Sequence, residues 1–237
     1  MNLDTKSSRA ARRSIISLVS LLIFASYANV ALGQQPAPSA LAATDLARRV
    51  DQHYNQLHSL KASFNEQYEG LGMTRNESGT MLLRKPGRMK WEYQSGQGNA
   101  SGKVFVLDGK YAWFYAPGDT QVQRLAASQL DDLRSPLRFL LGHTKIESEL
   151  QSLTLAPAPG GSYTLSGQPK GQQKRISKLA LTVTKDGAIL GILIDEVDGA
   201  RTHFTFTGEE PNAEIPESTF HFTPPPGVPV VDALPPV

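Results

Sequence analysis

The 237-residue chain contains no cysteine. That excludes a disulfide framework and any chemistry that runs through a thiolate. Histidine is scarce at five residues. Of these only His53 and His58 are close, and a spacing of five sets them on different sides of a helix; the zinc pattern HExxH is absent. No metal ligand set follows. There is no G-x-S-x-G elbow and no glycine-rich phosphate loop between a strand and a helix. The densest acidic group, "DEVDG" at 195–199, splits by strand alternation, with Asp195 and Val197 on one side and Glu196 and Asp198 on the other. A glycosidase-like carboxylate pair there is the one hydrolytic alternative, and no other feature supports it. The chain reads as neither an enzyme nor a cofactor protein.

Excess charge is missing as well. The net formal charge is +2, but residues 1–33 hold four of the 24 basic residues and one of the 22 acidic ones. What remains has 20 basic and 21 acidic groups, so no global field favours nucleic acid or an anionic membrane. The leading cations Arg9, Arg12 and Arg13 precede the apolar run "IISLVSLLIFASYANVALG", with Ala31 and Gly33 at the −3 and −1 positions before Gln34. This is the layout of a secretory signal peptide over 1–33. A Pro/Ala-rich leader, 34–43, follows, and then a single domain over 44–237 that must hold together by its own core.

Within that domain helices are few. Leu46, Val50, Tyr54 and Leu57 form one stripe of an amphipathic helix that begins at Asp45 behind a Thr44 cap. Beyond it the apolar period is two. Strands are predicted near 62–69, 77–84, 88–94, 103–108, 111–116, 120–125, 152–156, 162–166, 176–184, 188–197 and 201–207. The intervening "DG", "PGD", "PGG" and "KDG" turns are too short for parallel crossovers. The predicted fold class is mainly β: one curved antiparallel meander of about eleven strands, an incomplete barrel. One segment interrupts it, "SQLDDLRSPLRFLLGH" at 128–143: a first helix behind a Ser128/Asp131 capping box is broken at Pro136, and a second, "LRFLLG", follows, in which Leu137, Phe139, Leu140 and Leu141 leave nearly every side apolar. A helix that short needs an apolar bed, so it is expected to be a lid over an apolar cavity. The Pro-rich tail is expected to run extended along the surface.

What the chain does have is aromatic and apolar strand faces. In "RKPGRMKWEY", 84–93, Met89, Trp91 and Tyr93 fall on one face and Arg88, Lys90 and Glu92 on the other. In "KVFVLDGKYAWFYAPGD", 103–119, Val104 and Val106 align with Trp113 and Tyr115, while Phe105, Leu107 and Phe114 share the opposite side. The expected cavity lining is Val50, Met89, Trp91, Tyr93, Val104, Val106, Trp113 and Tyr115.

"RKPGRMKWEY", "DGKYAWFYAPGDTQVQ", "SPLRFLLG" and "FHFTPPPGV", in that order and behind a signal peptide, resemble the LolA family of periplasmic carriers of outer-membrane lipoproteins. The resemblance implies a half-open barrel with a helical lid, acylated lipoproteins as cargo, the inner-membrane transporter LolCDE as donor and the receptor LolB as acceptor. It implies a periplasmic monomer, with no nucleic acid partner. It also implies a lid latch just before the Pro of the first motif. The family commonly has Arg there; this chain has Lys85, preceded by Arg84. An ammonium can bond one carbonyl but cannot fork to two acceptors as a guanidinium does. A lipid- or lipoprotein-sensing regulator domain of the same fold is the alternative reading.

Overall fold

Period-two alternation takes over at Ser59, and the chain responds with strands. The computed structural model describes residues 41–94, 100–128, 140 and 145–232. Among the described residues are helix α1 (Ala43–Gln56), a four-residue helix α2 (Ile146–Glu149) and twelve strands. The first six are β1 (Ser59–Gly70), β2 (Met73–Arg84), β3 (Arg88–Gln94), β4 (Ala100–Asp108), β5 (Tyr111–Tyr115) and β6 (Val122–Ala126). The others are β7 (Leu150–Pro157), β8 (Tyr163–Pro169), β9 (Ile176–Val183), β10 (Ile189–Glu196), β11 (Arg201–Pro211) and β12 (Val230–Asp232).

They form a single open, curved sheet of order β12-β6-β5-β4-β3-β2-β1-β11-β10-β9-β8-β7. The sheet is thus two meanders rather than one. β1 pairs with β11 over a register from Leu60–Pro211 to Glu69–Arg201, and this seam joins the halves. β6 and β7 follow one another in the chain yet stand in opposite halves at or next to the edges. The Pro-rich tail supplies a twelfth strand. β12 runs parallel to β6 and covers its open edge with three residues, an edge position that tolerates the flanking prolines.

Two strands are longer than their sequence pattern. β1 and β2 meet in a two-residue turn, Leu71–Gly72, with φ of 52° and 74°. Primed hairpin turns need this left-handed backbone, and a leucine in it hides the turn from a search for Gly and Asn. Helix α1 starts at Ala43, before Thr44, and no side chain caps it. Its predicted stripe holds: Leu46, Val50 and Tyr54 are buried within the helix and Leu57 just after it.

The register decides which residues share a face. Leu83, Met89, Leu107 and Ala112 are successive partners across β2 to β5. Phe64 and Phe206 face each other across the seam, and Leu165, Leu181, Ile192 and Phe204 continue the same side through β8 to β11. These residues, with Leu46, Val50 and Tyr54 of α1, form one buried apolar cluster. The helix therefore packs against the same sheet face that carries Met89 and Trp91. We call this the concave face.

Candidate functional site

The concave face is floored by aromatic rings. Trp91 lies 4.4 Å from Phe64, 5.6 Å from Phe204 and 6.2 Å from Phe206, centroid to centroid. Edge-to-face and tilted contacts of this kind are the favourable arrangements of aromatic rings. Of the predicted lining, Val50, Met89 and Trp91 stand in this cluster, and Tyr93 packs partly buried against it.

Tyr93 also has a polar end. Its hydroxyl donates to Glu66 Oε2 at 3.2 Å, and burial, then the Glu66 carboxylate, push its pKa up. Glu66 is 8% exposed and belongs to a charged rim. Arg75 bridges Glu66 and Glu77, at 3.5 and 2.7 Å, and Lys103 Nζ bonds both Glu77 oxygens at 2.7 and 2.8 Å while sitting 4.0 Å over the Tyr93 ring. One end of the apolar floor is thus bordered by paired charges.

At the other end α1 is pinned by its polar groups. The Tyr54 hydroxyl accepts from Ile189 N–H at 2.9 Å and donates to Glu209 Oε2 at 3.2 Å, and His53 Nε2 meets Glu209 Oε1 at 2.7 Å. Arg49 Nη1 donates to the Lys185 carbonyl at 2.9 Å. Gly187 allows that approach: a Cβ there would lie 2.5 Å from the Arg49 carbonyl oxygen. Asp51 accepts Ile146 N–H with both oxygens, at 3.2 and 3.1 Å, and so ties α1 to the start of α2. Burial raises the Asp51 carboxyl to about 6 against the opposing Ile146 bond.

Lys85 completes the set. Its ammonium donates to the Tyr54 carbonyl, in the last turn of α1. That oxygen lies where a helix leaves carbonyls short of partners and where its dipole favours a cation. The Lys85 ammonium thus bonds the end of α1. Partial burial holds the Lys85 pKa below its usual value. Arg84 has a different partner, since Arg84 Nη1 donates to the Ile215 carbonyl at 3.1 Å, on the chain that follows β11. The predicted lid that Arg84 was expected to latch lies, apart from Leu140, outside the described residues.

Four predicted lining residues lie on the other face. Val106 is the register partner of Lys90 and Trp113, and Val104 of Glu92 and Tyr115. Val104, Val106, Trp113 and Tyr115 therefore share the convex face with Lys90 and Glu92, not the concave face with Met89 and Trp91. Their apolar cover is the segment 212–232. Phe222 stacks 5.6 Å from Trp113 and 6.4 Å from Tyr115, and Phe220 is buried against the same strands. Glu217 pairs with Arg88 at 2.5 Å, and Asp232 with Arg124 at 2.7 Å. Trp113 Nε1 donates to Asp108 Oδ2 at 2.7 Å. Burial works to raise the Asp108 pKa, but the Tyr111, Trp113 and Lys110 N–H donors outweigh it and hold the carboxyl below its ordinary value.

Of the predicted lid, Leu140 is buried and joins the concave cluster with Met89 and Trp91. Leu137, Phe139 and Leu141 lie outside the described residues. Sequence reasoning missed Phe64, Phe204 and Phe206, although their period-two spacing in "KASFNEQY" and "THFTFTG" was a usable signal. It also missed Phe105 and Phe114, which belong to the concave face through the Trp91–Phe105 and Phe105–Phe114 pairs.

An apolar, curved sheet face under a helix held by discrete polar tethers is the setting in which the comparisons fall. The family model described as outer membrane lipoprotein carrier protein LolA matches residues 55–223. The chain belongs to the LolA family. An outer-membrane lipoprotein carrier protein of Chromobacterium violaceum is 30% identical over 73% of this chain and 81% of its own length. One of Nitrosospira multiformis is 28% identical over 65% of this chain and 72% of its own. Among solved structures, an uncharacterized conserved protein of Thermus thermophilus covers 81% of this chain and all of its own, with a TM-score of 0.50 at 15% identity, a likeness of fold alone. The LolA-family assignment agrees with the open, curved sheet, and the motif "RKPGRMKWEY" contributes both the Lys85 bond to α1 and the buried Trp91.

Proposed function

We propose that this protein is a periplasmic, non-enzymatic carrier that shields the acyl chains of lipoproteins between the concave face and its helical cover. It takes cargo from LolCDE at the inner membrane and hands it to LolB at the outer one. The signal-peptide layout of residues 1–33 supports export, and family membership supports lipoprotein cargo. The observation that carries the reading is the aromatic floor of Phe64, Trp91, Phe204 and Phe206 beneath α1.

The energetics require such a floor. Each buried methylene is worth about 0.8 kcal/mol, so bare acyl chains cannot leave a membrane for water. A carrier must offer comparable apolar surface and still release it. α1 meets both needs: its apolar stripe covers the floor, and its polar tethers are few enough to re-form once cargo has left. Protein purified from the periplasm and weighed by native mass spectrometry should carry diacyl- or triacyl-modified protein in stoichiometric amounts. Empty protein, in cells that export lipoproteins, would contradict the carrier reading.

A further inference from the structure

Trp91 is 2% exposed, and its indole N–H has no hydrogen-bond partner among the described residues. The other tryptophan, Trp113, satisfies its own N–H on Asp108. A buried N–H left without an acceptor loses its hydration for nothing in return, so native proteins rarely keep one. The rings around Trp91 are phenyl groups, which offer only a π face, a weak acceptor. An uncompensated donor in the middle of an apolar floor points to an acceptor that arrives with the ligand.

The register shows a route to it. Met81, Trp91, Phe105 and Phe114 are successive partners across β2, β3, β4 and β5. Exposure rises along that row: Met81 and Trp91 are buried, Phe105 is half-buried against the core, and Phe114 is 38% exposed, with its ring 4.8 Å from Phe105. Two strand spacings separate β3 from β5, about 10 Å. An aromatic track of that length leads from solvent to the orphaned N–H. A chain that enters tail first along it brings its root, where the carbonyl lies, to Trp91 last.

We propose that the Trp91 indole N–H is the polar anchor for the carbonyl oxygen of a bound acyl group. The site then selects esters and amides of fatty acids over alkyl chains without a carbonyl. This rests on the acyl-binding reading above and adds to it a discriminating atom.

The test uses the mature protein and two lipids, 1,2-dioctanoylglycerol and its matched ether 1,2-di-O-octylglycerol, titrated by calorimetry. The ester should bind about five- to tenfold more tightly, the gain expected when an orphaned donor finds an acceptor. Trp91→Phe should bind both lipids alike. Because a smaller ring leaves a void, a second variant carries benzothienylalanine at position 91, which keeps the bicyclic shape and removes only the N–H. It should also lose the preference while holding its ether affinity within about twofold, and without ligand it should melt no lower than the parent. Equal binding of both lipids by the parent protein, or a preference that survives the isostere, overturns the anchor and leaves the carrier reading intact. Binding of neither lipid overturns the acyl-binding reading and the anchor with it.

Discussion

Single polar atoms fix the position of α1, and two of them make measurable predictions. Lys85 gives one charge-assisted bond to the Tyr54 carbonyl. Losing such a bond costs about 1.5–3 kcal/mol. Lys85→Leu should therefore raise amide exchange in the last turns of α1 by roughly tenfold or more, while Lys85→Arg, which keeps a donor and a charge, should hold it near the parent rate. Unchanged exchange in Lys85→Leu would make the contact incidental. Asp51 has the opposite sign. Its carboxyl titrates near 6 in the folded protein against an ordinary 3.8, because burial disfavours the charge. The folded state therefore holds this proton more tightly than the unfolded chain. Stability is greatest below the unfolded value, falls as pH rises from about 4 to 6, and is level above that. Asp51→Asn keeps an acceptor for Ile146 N–H and removes the titration. It should match the parent at pH 4 and exceed it at pH 7.5 by about 1 kcal/mol, a figure reduced for solvent screening of a half-exposed group. Denaturant midpoints at the two pH values check this.

At the scale of elements, two layers of aromatic packing share one sheet. The convex layer is held by the strap 212–232, where Phe220 is 1% exposed. Phe220→Ala should cost about 3–5 kcal/mol of stability, the usual range for a buried phenylalanine, yet leave affinity for an acyl probe unchanged. A loss of affinity matching the loss of stability would put the binding surface on the wrong side. This division is also where sequence reading reached its limit. The phase of Met89 and Trp91 was legible because "RKPG" fixes where β3 begins. The phase of Val104, Val106, Trp113 and Tyr115 relative to them was not. That phase is set by cross-strand pairs, Lys90 with Val106 and Glu92 with Val104, which leave no local trace, and an error of one residue in the register exchanges faces. The β1–β11 seam joins residues 132 to 151 positions apart, from Glu69–Arg201 to Leu60–Pro211, and leaves no local trace. The strap was hidden by its prolines, although "FHF" ahead of "TPPPGV" is an aromatic pair at strand spacing. By contrast, the α1 stripe and most strands were readable from period alone, because burial on one side imposes it.

At the scale of the whole molecule, the sheet is open, its edges are separate, and one face is apolar beneath a helix. α1 meets the sheet through an apolar stripe and a handful of polar tethers, most of them gathered at the end of the floor where β1 begins and β2 ends. The charged rim of Glu66, Glu77 and Lys103 stands at the far end. The most direct test is to place photoreactive diazirines at positions along a lipoprotein acyl chain, load the carrier, irradiate it and map the adducts by mass spectrometry. Adducts on Phe64, Met89, Trp91, Phe204 and Phe206 are expected; adducts on Val106, Trp113, Tyr115 or Phe222 would contradict concave-face binding.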